Sequence, residues 1–487
     1  MPFWKRWQTL LWVILLLSFL ARFYHLTTPL VDYHSWRQAD TASIARNFYR
    51  EGFQLLYPQI DWGGRSSGYL ESEFPLFAFL VALLYKVFGL HDSLGRLLSI
   101  LFSLGSVGLV FLIAKNLFSQ KTALMSAVLF SVFPSSIYFG RAFMPDFLTL
   151  FATLLAIYLL ILWYRSGRQY LFWLSGASLG LALALKISFA HTLVLVAGIF
   201  WLKHGWQFLA KLNFWLYMSM ALLPPLAWYY HAHQLYLQTG LSFGIWEFGS
   251  DKWGRLEIWA DPGFYKNLVL SKLGQSNLTW PGLFLLVGGI WQAAREKRRP
   301  ICYLWLLSLL VFFLVVAKGN WMHDYYQLPF LPIAALLMGN FAYDKSKAGG
   351  RTWKKIVTVI LLVGILVFSV ARLHKSFTLR DRNRAVLTLS AQIQDLTPEG
   401  AYLVTVQKVP DPVLLYLSDR KGWNLSLNTV TLASLRGLAG TSAIYLAGIK
   451  RDFSGPNASL QMKTLLSEFQ ALADNDRFFI LKVPESD

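Results

Sequence analysis

The 487 residues are 55% hydrophobic and 16% aromatic but only 15% charged, with a mean hydropathy of +0.44, too apolar a mixture for a water-soluble globule of this length. The formal net charge of +19 does not point to nucleic acid, because the basic residues lie in short clusters between apolar runs, as in cytoplasmic loops facing anionic lipid. What remains is a polytopic α-helical membrane protein, and the lone Cys302, set in an apolar run, excludes an intrachain disulfide and a thiolate metal site.

The chain opens with Lys5 and Arg6 ahead of an apolar run at 10–21 that no small-residue cleavage site follows, so it reads as a retained first span. Residues 27–93 then form a long polar loop in which His, Arg, Asp, Glu and Trp gather, above all in Asp32-Tyr-His-Ser-Trp-Arg-Gln-Ala-Asp40 and Glu71-Ser-Glu-Phe-Pro75. An ionisable cluster at the rim of an apolar bundle is costly to desolvate and marks a cavity or substrate path, against the plainer reading of a solvated connector. Within the loop, Ala42, Ala45, Phe48 and Tyr49 fall at helical spacing over 38–49, with Arg46 and Arg50 on another face.

Apolar runs long enough to span, or nearly so, follow at 94–114, 122–140, 147–164, 170–185, 187–202, 213–230, 279–294, 301–317, 325–342 and 355–371, which with 8–25 makes about eleven. A shorter stretch, 75–90, begins with proline and carries Lys86. If it does not cross, one side receives Lys5/Arg6, Lys115/Lys121, Arg165/Arg168, Lys203/Lys211, the Arg295–Arg299 cluster and the basic stretch 345–355, while the other keeps Arg141, Lys186 and Lys318. The positive-inside rule selects that topology, with 75–90 as an interfacial helix in which Lys86 snorkels. The loop thus carries two external juxtamembrane helices, and Asp146, Lys186 and His323 come out on the same external face.

Residues 231–278 read as a second external loop, with Trp246, Glu247, Asp251, Trp253, Glu257, Trp259 and Asp261; acids among indoles suit a sugar-contacting surface and an interfacial aromatic belt equally. After the last span the composition turns soluble. The membrane domain is therefore 1–372, and 373–487 reads as an external α/β domain: helix 383–396, turn 397–400, strand 402–406, a helix after Asp411-Pro412, strand 443–447, helix 459–473 and strand 478–483. It carries no catalytic motif and is expected to cover the active face or help select an acceptor.

Among residues able to carry chemistry, Asp146 in Arg141-Ala-Phe-Met-Pro-Asp146 is either an N-cap for the next span or a functional acid beside Arg141. Lys186, alone in a tight outer turn, is a snorkelling lysine or a fixed cation for a phosphate. Lys318, His323 and Tyr326 gather at the outer end of a late span, where a phosphate or sugar pocket would need donors. No Walker loop, dinucleotide fingerprint or His-Glu-x-x-His helix is present, so soluble nucleotide-driven chemistry is not expected.

Four stretches, Ala39-Asp-Thr-Ala-Ser-Ile-Ala-Arg-Asn-Phe48, Glu73-Phe-Pro-Leu76, Arg141-Ala-Phe-Met-Pro-Asp146 and Tyr325-Tyr-Gln-Leu-Pro-Phe-Leu-Pro332, resemble the membrane-embedded GT-C glycosyltransferases, in particular the glycosyltransferase family 39 and protein O-mannosyltransferase-like group that includes the aminoarabinose transferases. The resemblance covers most of 1–345. It implies inverting transfer of a sugar from a polyprenyl-phosphate donor to a hydroxyl of a glycan, lipid or protein acceptor, in the bilayer of the cell membrane with the N-terminus cytoplasmic. Carried over, Asp40 is the candidate base, Glu73 an acid orienting the acceptor or a supporting cation, and Asp146 a second-loop acid. Arg37, His34, Arg141, Lys186, Lys318, His323 and Tyr326 are candidate phosphate or carrier contacts. Relatives usually begin the first surface helix with an acid, often Asp-Glu, where this chain has Trp36-Arg37-Gln38, which leaves Asp32 and Glu73 as alternative bases. With no tight acidic cluster, a divalent metal is allowed but not favoured. A transporter or flippase of a lipid-linked or anionic solute is the competing class, but it calls for internal repeats and mid-membrane breaks, neither of which is found. A structural or assembly protein displaying the C-terminal domain is a third reading, and it would not need outward-facing acids and cations.

Overall fold

Every apolar run named above coincides with a helix. In the computed structural model, which describes residues 3–244, 252–296, 299–346, 352–440 and 442–485, the bundle is built from α1 (Phe3–Phe23), α4 (Asp92–Leu117), α5 (Gln120–Val132), α6 (Pro134–Phe139), α7 (Asp146–Ser166), α8 (Gln169–Leu185), α9 (Thr192–His204), α10 (Leu212–Thr239), α13 (Trp280–Glu296), α14 (Pro300–Val315), α16 (Leu331–Ser346) and α17 (Thr352–Phe377). Between α1 and α4 lie α2 (Ser35–Glu51) and α3 (Leu76–Phe88); the short α11 (Leu256–Ala260), α12 (Pro262–Lys266) and α15 (Ala317–Met322) belong to later connections. Among the described residues, four helical stretches are long and apolar enough to cross a bilayer, Asp92–Leu117, Asp146–Ser166, Ile187–Ala210 and Thr352–Leu396, beside shorter apolar helices such as Gln169–Leu185 and Pro300–Val315.

The outside of this bundle is greasy. Leu16, Leu17 and Leu20 on α1, and Ile360, Val363, Val367 and Val370 on α17, are each about half or more exposed. Water would not tolerate so continuous an apolar face, whereas acyl chains do. Inside, polar groups are paired: Arg22, fully buried at the end of α1, donates to Ser103 Oγ at 2.7 Å, to Ser18 Oγ at 2.6 Å and to Ser136 Oγ at 2.9 Å, tying α1 to α4 and α6.

At one end of the bundle α2 and α3 pack on each other. Both match the two expected surface helices, but α2 is buried over Arg37–Phe48 rather than lying open on a surface. The reason is the cap above it. Residues 381–485 form a five-stranded sheet ordered β2-β1-β3-β5-β4, with β1 (Leu403–Gln407), β2 (Gly422–Ser426) and β3 (Ile444–Ile449) parallel, and β4 (Gln470–Asp474) and β5 (Phe478–Val483) antiparallel. Around it stand α18 (Asp381–Leu396), α19 (Val413–Ser418), α20 (Leu432–Ala439) and α21 (Pro456–Glu468). The expected strands at 402–406, 443–447 and 478–483 correspond to β1, β3 and β5; the polar edge strands β2 and β4 were not foreseen, and the expected helix 459–473 stops at Glu468 where β4 begins.

The cap is bolted to α2. Arg46, expected on a polar outer face, is instead buried, donating to Asp61 Oδ2 at 2.6 Å and to the Tyr416 carbonyl at 2.9 Å, and Arg50 reaches Asp419 at 2.7 Å. Tyr416 also donates to Asp92 at the start of α4, and Lys421 pairs with Glu51. The loop after α2 joins the same seam: Gly64 N donates to Gly422 O at 2.7 Å, and Gly422 N to Asp61 O at 2.8 Å. Gly64 has φ +64°, and a Cβ there would stand 2.3 Å from the Trp423 indole, so the close approach requires glycine.

α10 runs on past the expected end at 230 to Thr239, because its last turns are held by polar contacts above the bundle: His233 lies 3.3 Å from Glu71. The expected loop 231–278 is correspondingly shorter. Trp246, Glu247 and Asp251 lie outside the described residues; Trp253 and Trp259 are exposed, Trp259 Nε1 donates to Leu314 O at 2.9 Å, and Asp261 caps α12 by accepting from Gly263 N at 2.7 Å. Trp253, Trp259 and Asp261 line neither of the cavities described next.

Candidate active site

Under the cap lie two cavities that share a wall. The one on the bundle side, about 590 Å³, is lined by Arg37, Glu73, Lys186, Lys252, His323, Tyr325 and Tyr326, with Ser242 and Phe243. The one on the cap side, about 600 Å³, is lined by Asp40, Trp62, Arg382, Lys408, Asp411, Asn424 and Asp452. Trp36, Val409 and Pro410 border both. The helical spacing of α2 explains the division: Trp36 and Asp40 are one turn apart, while Arg37, next to Trp36, is turned about 100° from it, so a single helix serves both chambers.

In the bundle-side cavity Arg37 and Glu73 form an ion pair, with the Arg37 guanidinium 5.0 Å from the Phe243 ring. Lys186 caps the end of α8; the chain there turns directly into a short 3₁₀ segment, Ile187–His191, which leaves the residue 5% exposed. Its Nζ lies 2.6 Å from Asp146 Oδ1 and over the rings of Tyr325 and Tyr326, at 4.7 and 5.0 Å. Lys252 is held by the carbonyls of Gly244, at 3.2 Å, and Phe243, at 3.5 Å, and burial lowers its pKa from the ordinary lysine value. His323 stacks on Tyr325 and Tyr326; burial, reinforced by the neighbouring His34 and Lys186, pushes its pKa down to about 3, so it is neutral and donates an N–H rather than a charge.

In the cap-side cavity Asp40 is 4% exposed and accepts from Trp62 Nε1 at 3.0 Å. Burial raises its pKa to about 7; the Trp62 bond and the Arg37 charge act against the rise, while Asp411 and Asp61 add to it. Opposite stands Arg382 of α18, 2.9 Å from Asp452, 2.6 Å from Gln407 Oε1 and 3.8 Å from Asp411. Asp411 is likewise raised by burial.

The structure thus gathers Arg37, Glu73, Lys186, His323 and Tyr326 in one cavity and puts Asp40 in the adjoining one. The other sequence candidates go elsewhere. Arg141, expected to contact phosphate, is 1% exposed, 3.3 Å from Asp32 Oδ2, bonded to His25 O at 2.8 Å and over the Phe377 ring. It lines neither cavity. Asp32, the alternative base, is locked by Arg141, by Arg96 at 3.5 Å and by Gln38 at 2.6 Å. Asp146 opens α7, lines neither cavity and accepts from Lys186 Nζ at 2.6 Å. His34, at φ +57° before α2, packs on Tyr325 and His323 behind the cavity wall, and burial lowers its pKa to about 4. Lys318 is a half-buried member of α15 that borders neither cavity.

Lys252, Trp62, Arg382, Lys408, Asn424, Asp411 and Asp452 were not foreseen as site residues. Lys252 sat in the Trp- and Gly-rich loop that was flagged for its acids and indoles, and Trp62 is the one other indole of the first polar loop; the cap residues carried no local signal. Among the described residues no group of three His, Cys, Asp or Glu side chains stands close enough to hold a metal ion.

Residues 72–231, from the end of the first polar loop through most of α10, match the family model of dolichyl-phosphate-mannose-protein mannosyltransferases. An uncharacterized protein of Aquifex aeolicus is 22% identical over 397 residues, 78% of this chain and 88% of that protein. The structure is similar to ArnT from Cupriavidus metallidurans in the apo state and bound to undecaprenyl phosphate, each with a TM-score of 0.69 over 96% of this chain and 97% of ArnT, at 14% and 13% identity. It is also similar to the oligosaccharyltransferase of Archaeoglobus fulgidus, with a TM-score of 0.61 at 11% identity over 97% of this chain and 74% of that one. Of the four stretches that carried the resemblance, 73–76 and 141–146 lie within the matched segment, and this integral membrane protein has the GT-C glycosyltransferase fold.

Proposed function

We propose that the protein transfers a sugar from a polyprenyl-phosphate donor to an acceptor hydroxyl, with inversion at the anomeric carbon, at the end of the bundle that carries the cap. The observation that carries this reading is the pair of adjoining chambers: one holds buried cations suited to a phosphate, the other a buried carboxylate poised near neutrality, and Trp36 stands at their junction. The ArnT structure bound to undecaprenyl phosphate and an Archaeoglobus oligosaccharyltransferase structure with a dolichol-phosphate support a polyprenyl carrier.

In this reading the lipid phosphate lies against Lys186 and Lys252, with His323 and Tyr326 as neutral donors. The acceptor oxygen enters from the cap side and attacks the anomeric carbon. Its proton passes to the free oxygen of Asp40 as the bond from that carbon to the phosphate oxygen breaks, and the phosphate monoester leaves with both electrons, its growing charge met by the two ammonium groups. A base with a pKa near the working pH combines availability with driving force, which favours Asp40 over Glu73, whose carboxylate is tied to Arg37. Charge neutralisation falls to the lysines, and we propose that no divalent metal is required. The cap would lie outside the cell membrane, with the N-terminus inside.

The test is turnover by purified protein in detergent with a panel of radiolabelled polyprenyl-phosphate sugars, alongside Asp40→Asn and Glu73→Gln. Transfer, or slow donor hydrolysis, abolished by Asp40→Asn is the expected result. Activity that survives this change but is lost in Glu73→Gln moves the base to Glu73, and reconstituted vesicles that translocate a lipid-linked solute without consuming any donor would overturn the enzyme reading.

A further inference from the structure

The cap-side cavity has no counterpart among the groups needed to hold a lipid phosphate, and its far wall is built entirely by the C-terminal unit. Building on the transferase reading, we propose that this cavity is the acceptor site and that its occupant is a neutral or amine-bearing carbohydrate rather than a peptide or an anionic glycan.

Three features carry this. The first is size and reach: at about 600 Å³ the space is that of a small-molecule site, and Asp40 opens into it. A second is the chemistry of the walls. Trp36 and Trp62 offer indole surface on the bundle side, while Asn424, Lys408 and the carboxylates of Asp411 and Asp452 offer planar or charged donors and acceptors opposite. Apolar ring faces between such groups match a sugar ring, whose C–H faces and hydroxyl edges need both. Asp40, Asp411 and Asp452 outnumber Arg382 and Lys408, and Arg382 is already engaged with Asp452 and Gln407. Asp452 is in turn engaged by Arg382, which leaves Asp40 and Asp411 facing Lys408, so an acceptor bearing phosphate or carboxylate would find no excess of positive charge there.

The third feature argues against a peptide. Peptides gain affinity by adding a strand to an open sheet edge, and β2 is such an edge beside the cavity. Its entry is closed: Gly422 N donates to Asp61 O at 2.8 Å and Gly422 O accepts from Gly64 N at 2.7 Å, so the loop that carries Trp62 already occupies the position a peptide would start from.

The experiment is a binding titration of the full-length protein in detergent, read by tryptophan fluorescence, with mannotriose, chitotriose and a serine- and threonine-rich octapeptide as probes, and undecaprenyl phosphate titrated separately. Saturable binding of at least one trisaccharide, weakened by about tenfold or more in Asn424→Ala and in Lys408→Ala with undecaprenyl phosphate affinity moving much less, is the expected result. Lys408 is exposed, so its variant serves as the arm least exposed to a folding defect. Binding of the peptide alone, saccharide binding indifferent to both variants, or no saccharide binding while undecaprenyl phosphate binds would each overturn the acceptor assignment. Loss of undecaprenyl phosphate binding in the parent protein would instead remove the transferase reading on which it rests.

Discussion

The two chambers differ in how they are made. On the bundle side, Arg37, Lys186 and Lys252 line the cavity with one acid, Glu73, while Asp146 stands behind Lys186, and most of the side chains come from helix ends and connections of the membrane domain. On the cap side, Asp40, Asp411 and Asp452 outnumber the cations, and all but Trp36, Asp40 and Trp62 come from the C-terminal unit. One site is therefore set by where apolar runs stop, and the other by how a separate sheet is clamped onto α2. The contrast predicts that changes on one side alter carrier recognition and changes on the other alter attack.

The sharpest way to break that division is Asp40→Asn. The amide keeps the size and the ability to accept from Trp62 Nε1, but cannot take a proton. Transfer should fall about 10²–10⁴-fold while undecaprenyl phosphate binding moves less than about threefold, measured by single-turnover transfer and by equilibrium titration. Equal loss of both would mean that Asp40 belongs to the carrier site and that the two chambers do not divide the labour.

Arg141→Ala tests the boundary from outside both chambers. Removing this buried cation takes one of two guanidiniums from Asp32, which keeps Arg96 at 3.5 Å and Gln38 at 2.6 Å, so the loss should fall below the about 3–5 kcal/mol typical of a buried charge left with no partner. The melting temperature in detergent and the yield of folded protein should drop, while the carrier affinity of the folded fraction stays at the parent value. A normal melting temperature with weakened carrier binding would restore the phosphate role that its sequence position suggested.

Lys186 and Arg141 also show what the chain discloses before it folds. Lys186 was legible because a cation between two long apolar runs has only one place to be, the turn between helices, and that turn fixes its depth. Arg141 was misleading for the same reason: its position in a turn was read correctly, but nothing local reveals that Asp32, more than a hundred residues earlier, would take its guanidinium. The surface helices were visible from periodicity, yet their burial was not, because the cap that covers α2 uses contacts such as Arg46 with Tyr416 that span most of the chain. Asp411, Asn424 and Asp452 carry no local functional signal; they lie in a loop, a strand and a short 3₁₀ turn until the sheet brings them to one cavity.

On the bundle side, Lys252→Ala is the milder counterpart. Among the described residues its ammonium is held by two backbone carbonyls, whereas the loss of Lys186 would take from Asp146 the cation 2.6 Å away. If Lys252 holds the lipid phosphate through a charge-assisted bond worth about 1.5–3 kcal/mol, undecaprenyl phosphate should bind about 10–100-fold more weakly, by isothermal titration, with little change in melting temperature. Unchanged affinity would move the phosphate to Lys186 and Arg37.

The smallest effect expected is also the one that joins the chambers to stability. Burial raises Asp40 to about 7, with Asp411 and Asp61 adding to the rise and Arg37 and Trp62 opposing it, whereas in the unfolded chain it titrates as an ordinary aspartate. Between those two values the folded protein holds a proton that the unfolded chain releases, so stability falls as pH climbs through this window and levels off above about 7. In the proposed reaction the same ionisation that weakens the fold creates the base, so the acid limb of transfer should have its midpoint near 7. Asp40→Asn should abolish that limb and raise the melting temperature by about a few degrees at pH 8 relative to the parent, with the two proteins converging near pH 4. A variant no more stable than the parent at pH 8 would mean that the Asp40 carboxylate is not strained by burial, and the case for it over Glu73 as the base would then rest on geometry alone.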